Sequence, residues 1–115
     1  MPGFSVRHRS TGAVEVLDLI GELDAYTMPE LEAAFEKCRQ DRHHQIVVNG
    51  AHLLYISSAG LGVFLGYIDD VRKEGGDIKI AELKPCVFNA FDLLGFLQLF
   101  TIVETEEEAV TLFGP

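Results

Sequence analysis

Two adjacent hydroxyls, Ser57 and Ser58, stand between the apolar stretch Leu53-Leu54-Tyr55-Ile56 and the small-residue run Ala59-Gly60-Leu61-Gly62, with Gly66 beyond. Serine is a preferred N-cap, because its side-chain oxygen accepts from a free amide of the first helical turn. The same place gathers orphan N–H groups and the positive end of the helix dipole, so it also favours an anion. The pair therefore admits two readings: a plain cap, or a cap that also receives a phosphoryl group. The glycines weigh toward the second. Alanine would serve a helix better than Gly60, Gly62 or Gly66, and bare first turns let another backbone come close.

Other chemistries find less support. The glycine spacing is G-x-G-x-x-x-G, not the dinucleotide fingerprint, and there is no phosphate-binding G-x-x-x-x-G-K-[ST] loop. Ile56 stands where a nucleophile elbow around Ser58 would need its first glycine. A hydrolytic use of Ser58 remains a third reading, since the partners of a triad are not confined by spacing. His8, His43, His44 and His52 are scattered, with no metal-ligand spacing, and His43-His44 reads as a solvated connection. Asp69-Asp70 and Glu106-Glu107-Glu108 read as solvated helix faces. The expectation is no metal, no cofactor and no enzyme.

The elements that must position the serines follow from periodicity. Phe4–Arg9 and Ala13–Ile20 alternate as a hairpin around Ser10-Thr11-Gly12, with Val14, Val16 and Asp18 on one face and Leu17 and Leu19 on the other. Gly21–Tyr26 reads as a loop. Thr27 reads as an N-cap with Glu30 completing a capping box, and Pro29 in the first turn. The helix that follows has a core stripe of Leu31, Ala34, Phe35 and Cys38. Gln45–Asn49 is a strand, and Gly50–Ile56 leads from it to the serines. A helix from Ser58 to about Glu74 turns Leu61, Phe64, Leu65, Ile68 and Val71 inward and stops at Gly75-Gly76. Asp77–Ala81 is a strand. Pro85 opens a helix whose inward residues are Val87, Phe88, Phe91 and Leu94, ended by Gly95. Leu99–Val103 is the last strand, and Thr105 caps a terminal helix carrying Ala109, Val110, Leu112 and Phe113. The order ββαβαβαβα implies an α/β fold: a mixed, mostly parallel sheet of five strands with an N-terminal antiparallel hairpin and four helices.

At 115 residues, the chain has the size of one domain over 1–115, with a core that needs neither metal nor disulfide. The net charge of −9 argues against nucleic acid and anionic membranes as partners, and suits a basic protein surface. Cys38 and Cys86 are far apart and read as buried apolar residues in a reducing compartment. The first residues lack the charged and apolar regions of a signal peptide, and no apolar run reaches the roughly 20 residues that span a bilayer. The expected location is the cytoplasm.

Leu53-Leu54-Tyr55-Ile56-Ser57-Ser58-Ala59-Gly60-Leu61-Gly62-Val63 resembles the signature of the STAS domain, specifically of bacterial anti-sigma-factor antagonists. Gly21-Glu22-Leu23-Asp24-Ala25-Tyr26-Thr27 with Pro29 resembles their other common segment. Lys73-Glu74-Gly75-Gly76 and Phe91-Asp92-Leu93-Leu94-Gly95 also fit. The resemblance implies a partner switch: the unphosphorylated protein binds an anti-sigma factor that is also an ATP-dependent serine kinase and so frees the sigma factor. Phosphorylation ends the complex, and a metal-dependent serine phosphatase resets it. By position the resemblance implies Ser58 as phosphoacceptor, with Ser57 the second choice. It places Gly21, Glu22, Asp24, Thr27, Ser57, Gly60, Leu61 and Gly62 at the rim of the partner interface. The family often has aspartate immediately before the acceptor serine, where this chain has Ser57. The alternative keeps the fold and makes the chain a STAS subunit docking onto a transporter or another signalling complex without a phospho-switch.

Overall fold

The apolar residues of the inner strands alternate between two sides of one sheet, and both sides are covered. The structure, a computed structural model, describes residues 3–114; Met1, Pro2 and Pro115 lie outside it. Five strands, β1 (Phe4–Thr11), β2 (Val14–Leu23), β3 (Gln45–Ile56), β4 (Asp77–Ala81) and β5 (Thr101–Val103), form one sheet in that spatial order. β1 pairs antiparallel with β2, and every later pairing is parallel. The helices are α1 (Met28–Gln40), α2 (Ser58–Lys73), α3 (Pro85–Leu93) and α4 (Glu106–Thr111), with a 3-10 turn at Phe96–Gln98.

Leu17, Leu19, Ile46, Val48, Ile78 and Ile80 join the apolar stripes of α1, α2 and α3 in the main core. Val14, Val16, Val47 and Ala81 join Ala109 of α4 in a smaller one. This settles why both faces of β2 are apolar. Asp18, on the α4 side, is buried and accepts from Arg9 and Arg7; Arg9 also reaches Glu106, and Asn49 donates to the same carboxylate at 2.9 Å. The ion network thus ties β1, β2 and β3 to the start of α4. Phe64 of α2 lies at the centre of the main core. It makes edge-on contacts with Phe35, Phe91 and Phe100 at centroid distances of 5.7, 5.5 and 5.9 Å, a geometry that adds about 0.5–1.5 kcal/mol per pair beyond burial. These contacts hold α2, and with it the serine pair, against the sheet.

Several expectations need correction. β2 runs on to Leu23 and β3 to Ile56, so Gly21 lies inside a strand rather than in a loop, and Gly50–Ile56 continues the strand rather than following it. Leu65 and Leu94 are exposed, and Val63 takes a core position in α2 that the spacing did not give it. Cys38 is buried, whereas Cys86 is exposed. Leu112 is exposed, because α4 ends at Thr111. Thr27 does not cap α1: its backbone is already near-helical (φ −101°, ψ −13°) and its side chain accepts from no amide of the first turn. No helix of the described residues is long and apolar enough to cross a membrane.

Candidate functional site: a serine pair at the start of α2

Parallel strands β2 and β3 end side by side, with Glu22 opposite Tyr55 and Leu23 opposite Ile56. From there the chains diverge, one into the loop before α1 and the other directly into α2. The Ser57 amide donates to the Leu23 carbonyl at 2.9 Å and stitches the two exits together. The two sequence stretches singled out above are thus neighbours in space.

The serines divide the work. Ser57 has extended backbone angles (φ −93°, ψ 172°), and its hydroxyl oxygen accepts from the Gly60 amide at 3.3 Å. It is the N-cap. Its carbonyl accepts from Leu61 N at 3.0 Å, the first helical bond. Ser58 is the first residue of the helix and is exposed, and its hydroxyl takes no part in the cap. The first turn of α2 carries no acidic side chain, so the positive end of its dipole is uncompensated from within the helix.

The neighbouring loop is built by Asp24. Its Oδ1 accepts from Tyr26 N at 2.9 Å and Thr27 N at 3.0 Å, and its carbonyl accepts from Met28 N at 2.8 Å. Asp24 therefore does the work expected of Thr27. The Thr27 hydroxyl turns back instead, donating to the Glu22 carbonyl at 2.8 Å and accepting from Asp24 N at 2.9 Å. The outcome is a rigid turn that leaves the Glu22 side chain exposed beside the strand ends.

The glycines separate into two kinds. A Cβ on Gly60 would lie 2.8 Å from Leu23 Cγ and 3.0 Å from Ile56 Cγ1, so helix and strand ends approach too closely for any side chain. Gly21 has φ +109° and a Cβ there would collide with the Gly3 carbonyl. Gly60 and Leu61 are buried, and Leu61 packs into the main core. The first turn of α2 lays this face on the sheet, so both residues lie beneath the surface on which the interface rim is expected. Gly62 and Gly66 face open space.

A family model described as STAS domain matches residues 6–109. The chain belongs to the STAS domain family. It is 34% identical over 87 residues to an anti-sigma-B factor antagonist of Staphylococcus epidermidis, a match that covers 76% of this chain and 81% of that protein. Its fold matches an anti-sigma factor antagonist of Mycobacterium paratuberculosis with a TM-score of 0.88 at 23% identity, over 96% of this chain and 93% of the other. SpoIIAA of Bacillus, in its unphosphorylated form, matches with a TM-score of 0.79 at 25% identity over 96% of each chain. Its phosphorylated form matches with a TM-score of 0.71 at 24% identity, over 96% of this chain and 99% of that one.

Sequence reasoning missed one feature of this STAS domain. The bare face of α2 forms one wall of an open groove of about 330 Å³, lined also by Met28 and Glu32 of α1 and by Tyr67. Tyr26, 92% exposed in the loop before α1, and Tyr55, exposed at the end of β3, stand free on the segments that flank the serines. Exposed aromatic residues beside a groove supply binding area at low entropic cost. The available signal was Gly62 and Gly66, four apart on one helical face.

Proposed function

We propose that this STAS domain, residues 1–115, is an anti-sigma-factor antagonist whose partner binding is switched off by phosphorylation of Ser58. The observation that carries the reading is the division of the serine pair. Ser57 is committed to the cap, and Ser58 is exposed with its hydroxyl outside that bond. The likeness to anti-sigma-B factor antagonists and to SpoIIAA in both phosphorylation states supports it.

The partner is an anti-sigma factor that is also an ATP-dependent serine kinase, opposed by a serine phosphatase. It docks over the α2 start, the Glu22–Thr27 loop and the open glycine face. A phosphoserine carries about −1.5 to −2 charge and three strong acceptors. At a helix N-terminus the fold tolerates that charge. Against a docked partner it adds bulk and an under-satisfied charge where a neutral hydroxyl stood, with the exposed Glu22 nearby adding like-charge repulsion. The switch is local: it blocks a surface without rearranging the domain. The domain acts as a regulator, not as an enzyme.

The test is to incubate the protein with ATP, magnesium and the kinase encoded nearest to it, and to map phosphate by mass spectrometry. The expected result is one phosphate, on Ser58, with none in Ser58→Ala protein. Phosphate on Ser57, or on no serine of this pair, overturns the assignment.

A further inference from the structure

The far end of the sheet brings together four donors that the chain spaces widely. Glu15, the second residue of β2, lies opposite Ile46, the second of β3, whereas the serine site lies past Leu23 and Ile56 at the other end of the same pair. Glu15 is buried, at 8% exposure. Its two carboxylate oxygens face two imidazoles: Oε2 lies 3.3 Å from His8 Nδ1 and Oε1 lies 3.3 Å from His43 Nδ1. Ser10 Oγ donates to Oε1 at 2.9 Å. The thiol of Cys38, in the last turn of α1 and 1% exposed, closes the group on the inner side. Ligand atoms of His8, Glu15 and Cys38 all lie within 4.8 Å of one another. An open hollow of about 250 Å³, lined by Gly12, Ala13, Glu15 and His43 among others, connects the cluster with solvent.

We propose that His8, Glu15, Cys38 and His43 bind a divalent transition-metal ion of the zinc class. Imidazole, carboxylate and thiolate together form the donor set that such ions take. Bond lengths of about 2.0–2.3 Å set donor–donor separations of about 3.5 Å in a tetrahedron. The two Glu15–imidazole separations already stand at 3.3 Å. The ligand atoms of His8, Glu15 and Cys38, within 4.8 Å of one another, must draw closer to reach that spacing around an ion. With a carboxylate and a thiolate, the site is neutral around a doubly charged ion. Burial and the adjacent Glu15 push the free Cys38 thiol up to about 12, so the ion displaces a proton on entry. A hydrogen-bonded His8–Glu15–His43 bridge is the competing use of the same residues, and it does not need the thiol.

The ligands come from β1, β2, the end of α1 and the connection from α1 to β3. An ion there ties the hairpin to the helix whose other end begins at the Asp24 turn, and stabilises the folded chain by linkage. The site lies away from Ser58, so its occupancy is measurable whether or not the phospho-switch holds.

The test uses the full chain, stripped with chelator, and titrated with Zn²⁺ by calorimetry and with Co²⁺ by absorption. One equivalent is expected to bind saturably, raise Tm, and give Co²⁺ a thiolate charge-transfer band. His8→Gln and His43→Gln, at partly exposed positions that leave the core intact, each weaken binding by about tenfold or more. Cys38→Ser removes the band. His52→Gln, outside the cluster, leaves both readouts unchanged. The proposal is overturned if no saturable equivalent binds, if His8→Gln and His43→Gln bind as tightly as the wild type, or if Co²⁺ binds without a thiolate band.

Discussion

Gly60 and Gly62 sit two residues apart in one helix, and alanine at each has an opposite predicted effect. In an exposed helical position Gly→Ala gains about 0.5–1 kcal/mol. A Cβ at residue 62 meets nothing within 4 Å, so Gly62→Ala realises that gain in full. At residue 60 the Cβ meets Leu23 Cγ at 2.8 Å and Ile56 Cγ1 at 3.0 Å. Leu23 is fully buried and Ile56 nearly so, and the two atoms met are the Leu23 branch carbon and the Ile56 methylene next to Cβ, not flexible chain ends. Relief therefore shifts α2 against the strand ends, an overpacking cost of about 2–3 kcal/mol. After the propensity gain, Gly60→Ala loses about 1–2 kcal/mol, and the two variants differ by about 2–3 kcal/mol. With a urea m-value of about 1–3 kcal/mol/M for a domain of this size, their midpoints separate by about 0.7–3 M at unchanged m. Circular dichroism at rising urea reads this directly. Gly60→Ala as stable as the wild type, or Gly62→Ala less stable, would refute the packing argument. The pair also separates stability from function: Gly62→Ala is expected to be the more stable protein and the poorer partner, because its methyl stands on the proposed docking face.

Ser57→Ala costs about 0.5–1 kcal/mol, the lower half of the range for a lost cap because its bond is long, while Ser58→Ala stays within about 0.5 kcal/mol of the wild type in the same urea assay. Asp24→Ala loses two amide bonds and about 1–2 kcal/mol, whereas Glu30→Ala, outside any cap, changes stability by less than about 0.5 kcal/mol. Arg9 hydrogen bonds hold the Asp18 and Glu106 carboxyls below their ordinary range. A depressed folded pKa gives stability that is present above the unfolded values of about 3.9 and 4.3 and lost as pH falls through the folded ones. The urea midpoint should therefore drop steeply below about pH 4, and Arg9→Gln should flatten that drop; an unchanged slope would remove the network from the account. In NMR, phosphorylation of Ser58 should move amide signals of α2's first turn and of the Glu22–Thr27 loop while leaving those of α4 in place. Shifts spread over the whole sheet would contradict a local switch.

Periodicity located every strand and helix, because parallel crossovers and a two-sided sheet leave clear apolar patterns in β2, β3 and α2. It failed where two residues compete for one task. Asp24 and Thr27 are both good caps, and Glu30 with Pro29 pointed to Thr27. Only the return of the Thr27 hydroxyl to Glu22, fixed by where β2 ends, gives the task to Asp24. Gly21 reads as the start of a loop and Gly50 as the start of a lead-in to the serines, yet pairing with neighbouring strands carries β2 and β3 past them. Leu65 and Leu94 fit the helical spacing and still face out, since spacing does not say how wide a face is covered. At the candidate site the serine pair was legible and its division of labour was not: either residue could have been N-cap until the backbone turned helical at Ser58. The His8–Glu15–Cys38–His43 cluster was illegible, because no spacing links four residues that meet only through the hairpin register and the end of α1.

The central claim rests on Ser58 as the switch. Its most direct measurement is the affinity of the proposed kinase partner, purified, for the unphosphorylated protein and for protein carrying phosphate on Ser58 alone. The account predicts that phosphate weakens binding by at least about tenfold, roughly 1.4 kcal/mol, with the urea midpoint of the domain nearly unchanged. Equal affinity of the two forms would contradict it.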